Sequence, residues 1–506
     1  MARLAFKPDS SFFRKIAAGA VGTRAVQLDL DSRGHQIAEL ERGSTDTKLW
    51  KDVKRKRVRI PDLVCTHCGV RVECRAKTKA ELSMSHSWSD EARAWDFGMV
   101  DTDYVAFPIC IADAEAYWSA GKLGTEVSYW HERNWVRWKN VGRINYFPVR
   151  SFRAAPYTKS STKGVTEGSE TTITWPAVFA KRPAIVEAVA SQRISTRAPG
   201  GGHQYPRRIP MGLRILVAPD QTIETHEVIA ATVEPVTATA LVCPGALPEN
   251  HITHLLSSRE RSLRFTGVKL ARLRNELVFC DPVADLANDT EEDVYIRLEG
   301  LSYLTAVCGV SARDLFTPYL ASTDPQTQLE AVIALGEAGT STSVELLSDL
   351  LDDISQPYFL RSAAAWCLSR IADAHACTRL ITAFADIDPT IREEALDGIV
   401  MIGGPALPYS WLGCARPTTQ WQQAVPRRFA DEADYPKKLL LNWAMRSEAN
   451  IRHAGRFGCW ANCHAITWRR RSPRSKTRLR SFTTRSPFSG CSWKAGLPGA
   501  GSSGLT

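Results

Sequence analysis

Four charged residues of catalytic type lie close together in the sequence VRIPDLVCTHCGVRVECRAK, residues 58–77. Asp62 follows a proline, Glu73 stands eleven positions later, and Arg75 and Lys77 follow at alternate positions. Successive side chains of a strand point to opposite faces, so Glu73, Arg75 and Lys77 would share one face. Carboxylates bind divalent metals and cations stabilise phosphate charge, so this pattern is more typical of a site than of a surface.

A β-hairpin is predicted to position these residues. The runs Val58–Val64 and Val70–Lys77 alternate β-formers around the turn-like Thr66–Gly69. Helical spacing of apolar residues predicts a helix over Ala17–Gly34, followed by a short strand over His35–Leu40. Asp103–Ala112 supplies a further apolar strand.

This order of helix, strand, Pro-Asp strand and Glu-x-Arg-x-Lys strand resembles the PD-(D/E)XK restriction-endonuclease-like superfamily. Pro61-Asp62 matches the Pro-Asp motif, Glu73 matches the second acid, and Arg75 falls where the family has lysine. The family's first helix often carries a metal-binding glutamate, which is absent here; Glu39 and Glu41 are the only nearby acids. The resemblance implies a restriction-endonuclease-like α/β domain over residues 1–125.

The resemblance also implies roles for the four residues. Asp62 and Glu73 would hold Mg²⁺ for hydrolysis of phosphodiester bonds in DNA or RNA. Arg75 or Lys77 would supply the cation, and Lys77 is the better candidate for orienting a nucleophilic water because a guanidinium keeps its proton. The two departures from the family pattern would also fit an inactive, DNA-binding relative.

The hairpin turn contains the spacing of a zinc knuckle, Cys65-x-x-Cys68-Gly69. A closed zinc site needs two more ligands. The candidates are Cys74, Cys110, His67 and His86. A bound zinc would stabilise the hairpin that carries Asp62 and Glu73, whereas the alternative interpretation makes these cysteines buried thiols.

An internal repeat occupies residues 311–410. Three segments superpose, beginning at Thr327, Leu360 and Ile391, with offsets of 33 and 31 residues. They share an Arg-x-x-Ala-Ala-x-x-Leu type of core and resemble HEAT repeats, over about 90 residues. Helix pairs of this kind stack into an α-solenoid, which predicts a protein partner.

The remaining sequence divides into a middle region and a tail. β-branched residues dominate from Thr171 to Ala240, so residues 126–310 are predicted to be β-rich. Within this region, Tyr129–Phe152 interleaves aromatic and basic residues, a pattern that fits single-stranded nucleic acid or two strands with a buried aromatic face. Residues 411–506 form an irregular basic tail without periodicity, and we interpret the sequence after about Pro408 as out of frame or as a genuine basic tail.

The net positive charge of the chain comes from its C-terminal tail. The whole chain carries +10, but residues 437–506 alone carry +13, which leaves −3 for the rest. The 13 cysteines, with one Cys-x-x-Cys pair, do not form a recognisable disulfide framework and favour a reducing, cytoplasmic setting. No stretch is apolar enough to span a membrane, and the N-terminus lacks the pattern of a secretory signal.

Two functional hypotheses follow from these patterns. In the first, the N-terminal domain is a Mg²⁺-dependent nuclease and the solenoid is a binding scaffold. In the second, the chain is a non-enzymatic HEAT-repeat adaptor whose N-terminal domain is inactive or stabilised by zinc.

Overall fold

A computed structural model describes residues 10–46, 58–112, 138–161, 170–201, 205–248 and 250–402. Strands predominate before residue 232 and helices from residue 251 onward. The strands are β1 (Ile37–Glu39), β2 (Leu63–Cys65), β3 (Arg71–Cys74), β4 (Leu82–Ser87), β5 (Tyr104–Phe107), β6 (Cys110–Ala112), β7 (Trp138–Asn140), β8 (Asn145–Pro148), β9 (Thr158–Ser161), β10 (Glu170–Trp175), β11 (Ala177–Phe179), β12 (Ala184–Ala190), β13 (Arg193–Arg197), β14 (Tyr205–Arg208), β15 (Arg214–Ile215), β16 (Thr222–Ile223) and β17 (Val228–Ala231). The helices are α1 (Ser10–Asp31), α2 (Val149–Ala154), α3 (His251–Leu256), α4 (Arg261–Leu273), α5 (Cys280–Asn288), α6 (Val294–Ala306), α7 (Ala312–Leu320), α8 (Pro325–Ala338), α9 (Ser341–Asp352), α10 (Tyr358–Ile371), α11 (Ala374–Thr382) and α12 (Pro389–Ile402).

The N-terminal region is a mixed α/β structure built on a five-stranded sheet of order β1-β2-β3-β5-β8. Strands β1, β2 and β3 run antiparallel to one another, and β3 pairs with β5 in parallel. The predicted helix, short strand and hairpin are all present in this region as α1, β1 and β2–β3. Val26 and Leu30 of α1 are buried with Leu63 and Val72 of the hairpin, so one face of this sheet packs on the helix.

The predicted boundary at residue 125 lies between strands that share sheets. β5 pairs with β8, and β4 pairs with β10, so residues on both sides of that boundary form the same sheets. An aromatic core that includes Phe107, Phe147 and Trp175 fills the space between these sheets. Within the described part of the aromatic and basic stretch Tyr129–Phe152, the rings of Tyr146, Phe147 and Phe152 are buried, while residues 129–137 lie outside the described ranges.

The helical region begins at His251, 60 residues before the predicted start of the solenoid. One of these helices has no polar face for the sequence to reveal: α6 buries residues on every side, including Ile296, Glu299 and Tyr303. A helix that is buried all round lacks the 3.6-residue alternation from which helices are predicted.

The three predicted repeat segments fall on three helices of equal length. Helices α8, α10 and α12 each contain 14 residues and begin at Pro325, Tyr358 and Pro389. Asp324 accepts hydrogen bonds from Gln326 N and Thr327 N and so caps α8. A Cβ at Gly336 would lie 2.6 Å from Cβ of Cys367, so this glycine permits the close approach of α8 to α10. The solenoid-like part of the prediction is therefore confirmed.

The N-terminal region docks on the helices through the segment that follows β1. Arg42 pairs with the buried Glu299 of α6, and Trp366 Nε1 of α10 donates to Asp46 Oδ2 at 2.6 Å. Arg370 Nη2 of α10 lies 2.7 Å from Glu39 Oε2. Residues 39–46 therefore cover part of the helical surface. This part of the surface is occupied by the N-terminal region of the same chain.

Two further observations bear on the sequence predictions. Cys280 and Cys308 form a disulfide between the start of α5 and the segment after α6, in contrast to the expectation of reduced thiols. None of the helices in the described ranges combines the length and apolarity that a membrane span needs. The tail, residues 411–506, and the frame change suggested after Pro408 lie outside the described residues.

Candidate functional site

The β2–β3 hairpin places Asp62 and Glu73 directly opposite each other. Leu63 pairs with Val72 and Val64 with Arg71, so one further step outward brings Asp62 opposite Glu73. Side chains directly opposite on neighbouring strands share a face, with Cβ atoms about 4.5–5.5 Å apart. Both residues are half-buried, and the Glu73 side chain keeps 13% of its exposure. The pair is thus largely but not completely shielded from bulk water.

The electrostatic surroundings of the pair favour a cation. Burial, and then the neighbouring charges of Glu73 and Glu41, hold the pKa of Asp62 well above its usual range, although Cys74 N donates to Asp62 Oδ2 at 2.7 Å. Burial likewise raises the pKa of Glu73, and Arg75 offsets only part of this effect. Among the described residues, Arg75 therefore offsets only part of the effect of burying these two acids.

Glu41, and not Glu39, is the third acid of this neighbourhood. Its charge raises the pKa of both Asp62 and Glu73, and its amide donates to the carbonyl of Asp62 at 3.2 Å. Glu39 instead accepts from Thr45 and pairs with Arg370, which gives it a structural role. Of the two acids that follow α1 in the sequence, Glu41 therefore lies near the pair, and Glu39 lies at the interface with the helices.

Arg75 is the cation beside the pair. Its Nη2 lies 3.0 Å from Glu73 Oε1 and donates to the carbonyl of Trp95 at 3.3 Å. Its Nε is buried and has no hydrogen-bond partner among the described residues. The Arg75 side chain is 30% exposed, and a guanidinium that is partly accessible beside a carboxylate can hold a phosphate oxygen.

Lys77 lies further along the same chain segment and has different partners. Its Nζ donates to Ser83 Oγ at 3.0 Å, and Ser83 in turn donates to Glu81. Burial lowers the pKa of Lys77 to about 8, against the opposing charge of Glu81. Lys77 can therefore lose its proton near neutral pH, but the acids that influence it do not include Asp62 or Glu73.

The pair fits the ligand needs of Mg²⁺. This ion keeps several waters and is held by one or two carboxylates together with substrate phosphates. Asp62 and Glu73 supply those two carboxylates from one rigid hairpin. Glu41 does not complete a three-ligand cage, because the described residues bring three or more metal-ligand atoms within 4.8 Å of one another only at a different place.

That place is the turn of the same hairpin, where four residues gather: His35, Cys65, Cys68 and Cys243. Their ligand atoms all lie within 4.8 Å of one another. His35 follows α1, Cys65 ends β2, Cys68 lies in the turn, and Cys243 comes from the loop after β17. This group is called the cysteine–histidine cluster below.

The side chains that lie next to Cys65 and Cys68 as possible metal ligands, His35 and Cys243, are not the four candidates that the sequence suggested. The half-buried Cys74 and the buried Cys110 are thiols outside the cluster, and desolvation raises the pKa of each. His86 Nδ1 faces the amide of Trp95 at 3.3 Å. His67 Nδ1 lies 3.6 Å from the sulfur of Cys243, at the rim of the cluster.

Hydrogen bonds to sulfur already favour a thiolate in the cluster. The amides of Gln36 and Cys68 each donate to Cys65 Sγ at 3.4 Å. Hydrogen bonds from Cys68 and His35, together with these amides, lower the pKa of Cys65 to about 3. The thiolate is the form in which cysteine binds metals.

Comparison with known proteins finds a family match within the helical region. Residues 313–400 match the family of HEAT repeats, which corresponds to α7 through α12. A search of curated proteins finds no match. Among solved structures, the crystal structure of an engineered protein aligns at 18% identity over 38% of this chain and 94% of that one, with a TM-score of 0.21, which is too low to carry an argument.

Proposed function

We propose that the protein is a Mg²⁺-dependent phosphodiesterase that acts on nucleic acid, with its site on the β2–β3 hairpin. The observation that carries the proposal is the pair of opposed, half-buried carboxylates, Asp62 and Glu73, beside Arg75. The resemblance of this segment to the PD-(D/E)XK superfamily motivates the choice of substrate. The order β1-β2-β3 with β5 parallel to β3 supports it, since Glu73 lies on β3 and Asp62 immediately precedes the adjacent strand β2.

Each residue has a role that its surroundings support. Asp62 and Glu73 would hold Mg²⁺, which when bound polarises the phosphate and lowers the pKa of a coordinated water. Arg75, whose side chain is 30% exposed beside Glu73, would hold a non-bridging phosphate oxygen and stabilise the charge that develops there. Glu41 lies close enough for its charge to raise the pKa of both acids. Lys77, with a pKa of about 8, remains the candidate for moving a proton at the edge of the site.

Cleavage assays on the full chain test this proposal. Wild type is incubated with supercoiled plasmid, single-stranded DNA and RNA, with Mg²⁺, with Mn²⁺ and with EDTA. We expect metal-dependent cleavage of at least one substrate, abolished in Asp62→Asn and Glu73→Gln. Glu91→Gln, which neutralises an exposed acid in the following segment, is the matched control and keeps full activity. Equal background in all four proteins, independent of metal, would reject the proposal.

A second candidate function is a protein-binding scaffold, which the match of residues 313–400 to HEAT repeats favours. Large apolar side chains stay exposed at the turns of the repeats, with Ile354 76% and Ile387 83% exposed. Their replacement by serine would weaken binding of a protein partner and leave cleavage unchanged. A partner bound equally well by wild type and by the Ile354→Ser/Ile387→Ser double variant would exclude these turns as its contact.

A further inference from the structure

The cysteine–histidine cluster differs from a chance gathering of buried thiols in how its ligands are oriented. His35 Nε2 lies 3.1 Å from the carbonyl of Leu241, while His35 Nδ1 lies 3.4 Å from Cys68 Sγ. A carbonyl oxygen only accepts, so Nε2 carries the proton and the lone pair of the neutral ring is on Nδ1, toward the sulfurs. Metal-binding histidines are oriented by this kind of hydrogen bond from the distal ring nitrogen.

The backbone of the turn is also shaped for sulfur ligation. Gly69 has a φ of +75° and its amide donates to the carbonyl of Cys65 at 2.9 Å. The positive φ favours glycine, and a Cβ at this position would also lie 2.6 Å from Leu247 Cδ2, which would have to shift. The tight turn holds Cys65 and Cys68 on one side and directs the amide of Cys68 at Cys65 Sγ, while the amide of Gln36, in the segment after α1, donates to the same sulfur.

The fourth ligand is held in place by a separate contact. Cys243 N donates to the carbonyl of Arg33 at 3.2 Å, which fixes the loop after β17 against the end of α1. The cluster thus joins three parts of the chain: the turn after α1, the hairpin, and the loop that leads into α3. A metal ion here would tie the hairpin of Asp62 and Glu73 to the start of the helical region.

We propose that His35, Cys65, Cys68 and Cys243 bind one structural Zn²⁺ ion. Four protein ligands of three sulfurs and one imidazole nitrogen form the closed tetrahedral set of structural zinc sites, with no position left for water. The proposal does not depend on phosphodiesterase activity, because the ligands are distinct from Asp62, Glu73 and Arg75.

Metal analysis of the full chain, purified without a polyhistidine tag, tests this site. We expect about one zinc per chain by elemental analysis. Cys243→Ser and His35→Ala should hold zinc at least about tenfold more weakly in competition with a chromophoric chelator. Cys74→Ser and Cys110→Ser are the matched controls and should retain zinc fully, since Cys74 lies on β3 and Cys110 on β6, both outside the cluster.

Two additional measurements keep the test decisive if a variant does not fold. Cys243→His replaces one zinc ligand by another and should retain both zinc and fold. Wild type reconstituted with Co²⁺ should show the visible absorption of tetrahedral, thiolate-bound cobalt. Folded wild type without zinc, iron in its place, a Cys65–Cys68 disulfide in the freshly purified protein, or full zinc retention in Cys243→Ser would each overturn the proposal.

Discussion

Replacement of Glu299 by glutamine should strongly destabilise the contact between the N-terminal region and the helices. Glu299 is fully buried and lies between three cations: it pairs with Arg42, its Oε1 lies 2.8 Å from Arg272 Nε, and Lys269 Nζ lies 3.9 Å from its Oε2. The variant Glu299→Gln keeps the shape of the side chain and removes its charge. The buried cations then retain two other acids: Glu337 pairs with Lys269 and Arg272, and Glu330 Oε2 lies 4.0 Å from Arg42 Nη1.

Two independent routes give similar magnitudes for this loss. The surrounding cations lower the pKa of Glu299 from 4.5 to about 2, which at about 1.4 kcal/mol per pKa unit corresponds to about 3 kcal/mol. Removing one partner of a buried ion pair typically costs about 3–5 kcal/mol. We therefore expect a loss of about 3 kcal/mol in the free energy of unfolding at pH 7.

The pH dependence of this loss has a definite sign. The pKa of Glu299 in the folded protein is lower than in the unfolded chain, so its contribution is present above pH 4.5 and disappears as the pH falls toward about 2. The difference between wild type and Glu299→Gln should accordingly be constant from pH 5 to 8 and shrink below about pH 4.

Urea titration combined with hydrogen exchange measures the effect and locates it. We expect faster exchange both in residues 39–46 and in α4, α6 and α8. The matched control is Asp349→Asn, which breaks the exposed pair of Arg313 and Asp349 and should cost at most about 1 kcal/mol. If Glu299→Gln costs no more than this control, the reasoning about the buried network is refuted.

Three further predictions concern the hairpin. Because the pKa of Asp62 and that of Glu73 are raised in the folded protein, their charges oppose folding above pH 5. Asp62→Asn should therefore raise the Tm of the metal-free chain at pH 7.5 and have little effect near pH 4. A lower Tm of this variant at pH 7.5 would contradict the prediction. For the same reason, Mg²⁺ affinity measured by calorimetry should increase from pH 5.5 to 7.5, and a flat profile would be contrary evidence. Arg75→Met should lower kcat about 10²- to 10³-fold, and Lys77→Met much less; the reverse ranking would assign the phosphate contact to Lys77.

The hairpin and its acids could be predicted from the sequence because the relevant signals are local. Alternation with period two places Glu73 and Arg75 on one face, and a tight turn at Gly69 fixes the register that brings Asp62 opposite Glu73. The repeat helices are likewise local patterns, and their starts at Pro325, Tyr358 and Pro389 reproduce the sequence offsets of 33 and 31. Whether the acids bind metal stays a prediction.

The contacts that the sequence could not reveal are those made by distant parts of the chain. Cys243 lies 175 residues after Cys68, and no spacing rule connects the two. His35 lies 33 residues before Cys68 in the sequence. Only the docking of the turn after α1 on the hairpin brings its ring to the sulfur of Cys68 and identifies it as a possible ligand. The pairing of Arg42 with Glu299 spans 257 residues and exists because the segment after β1 docks on α6.

Binding of Mn²⁺, followed by electron paramagnetic resonance, tests the central claim most directly. Mn²⁺ prefers oxygen ligands and reports binding independently of turnover, and a zinc-loaded chain keeps the cysteine–histidine cluster out of the measurement. We predict one Mn²⁺ site in wild type and in Glu91→Gln, with an affinity about 10- to 100-fold lower in Asp62→Asn and in Glu73→Gln. Equal Mn²⁺ binding by all four proteins would contradict the claim that Asp62 and Glu73 form a divalent-metal site.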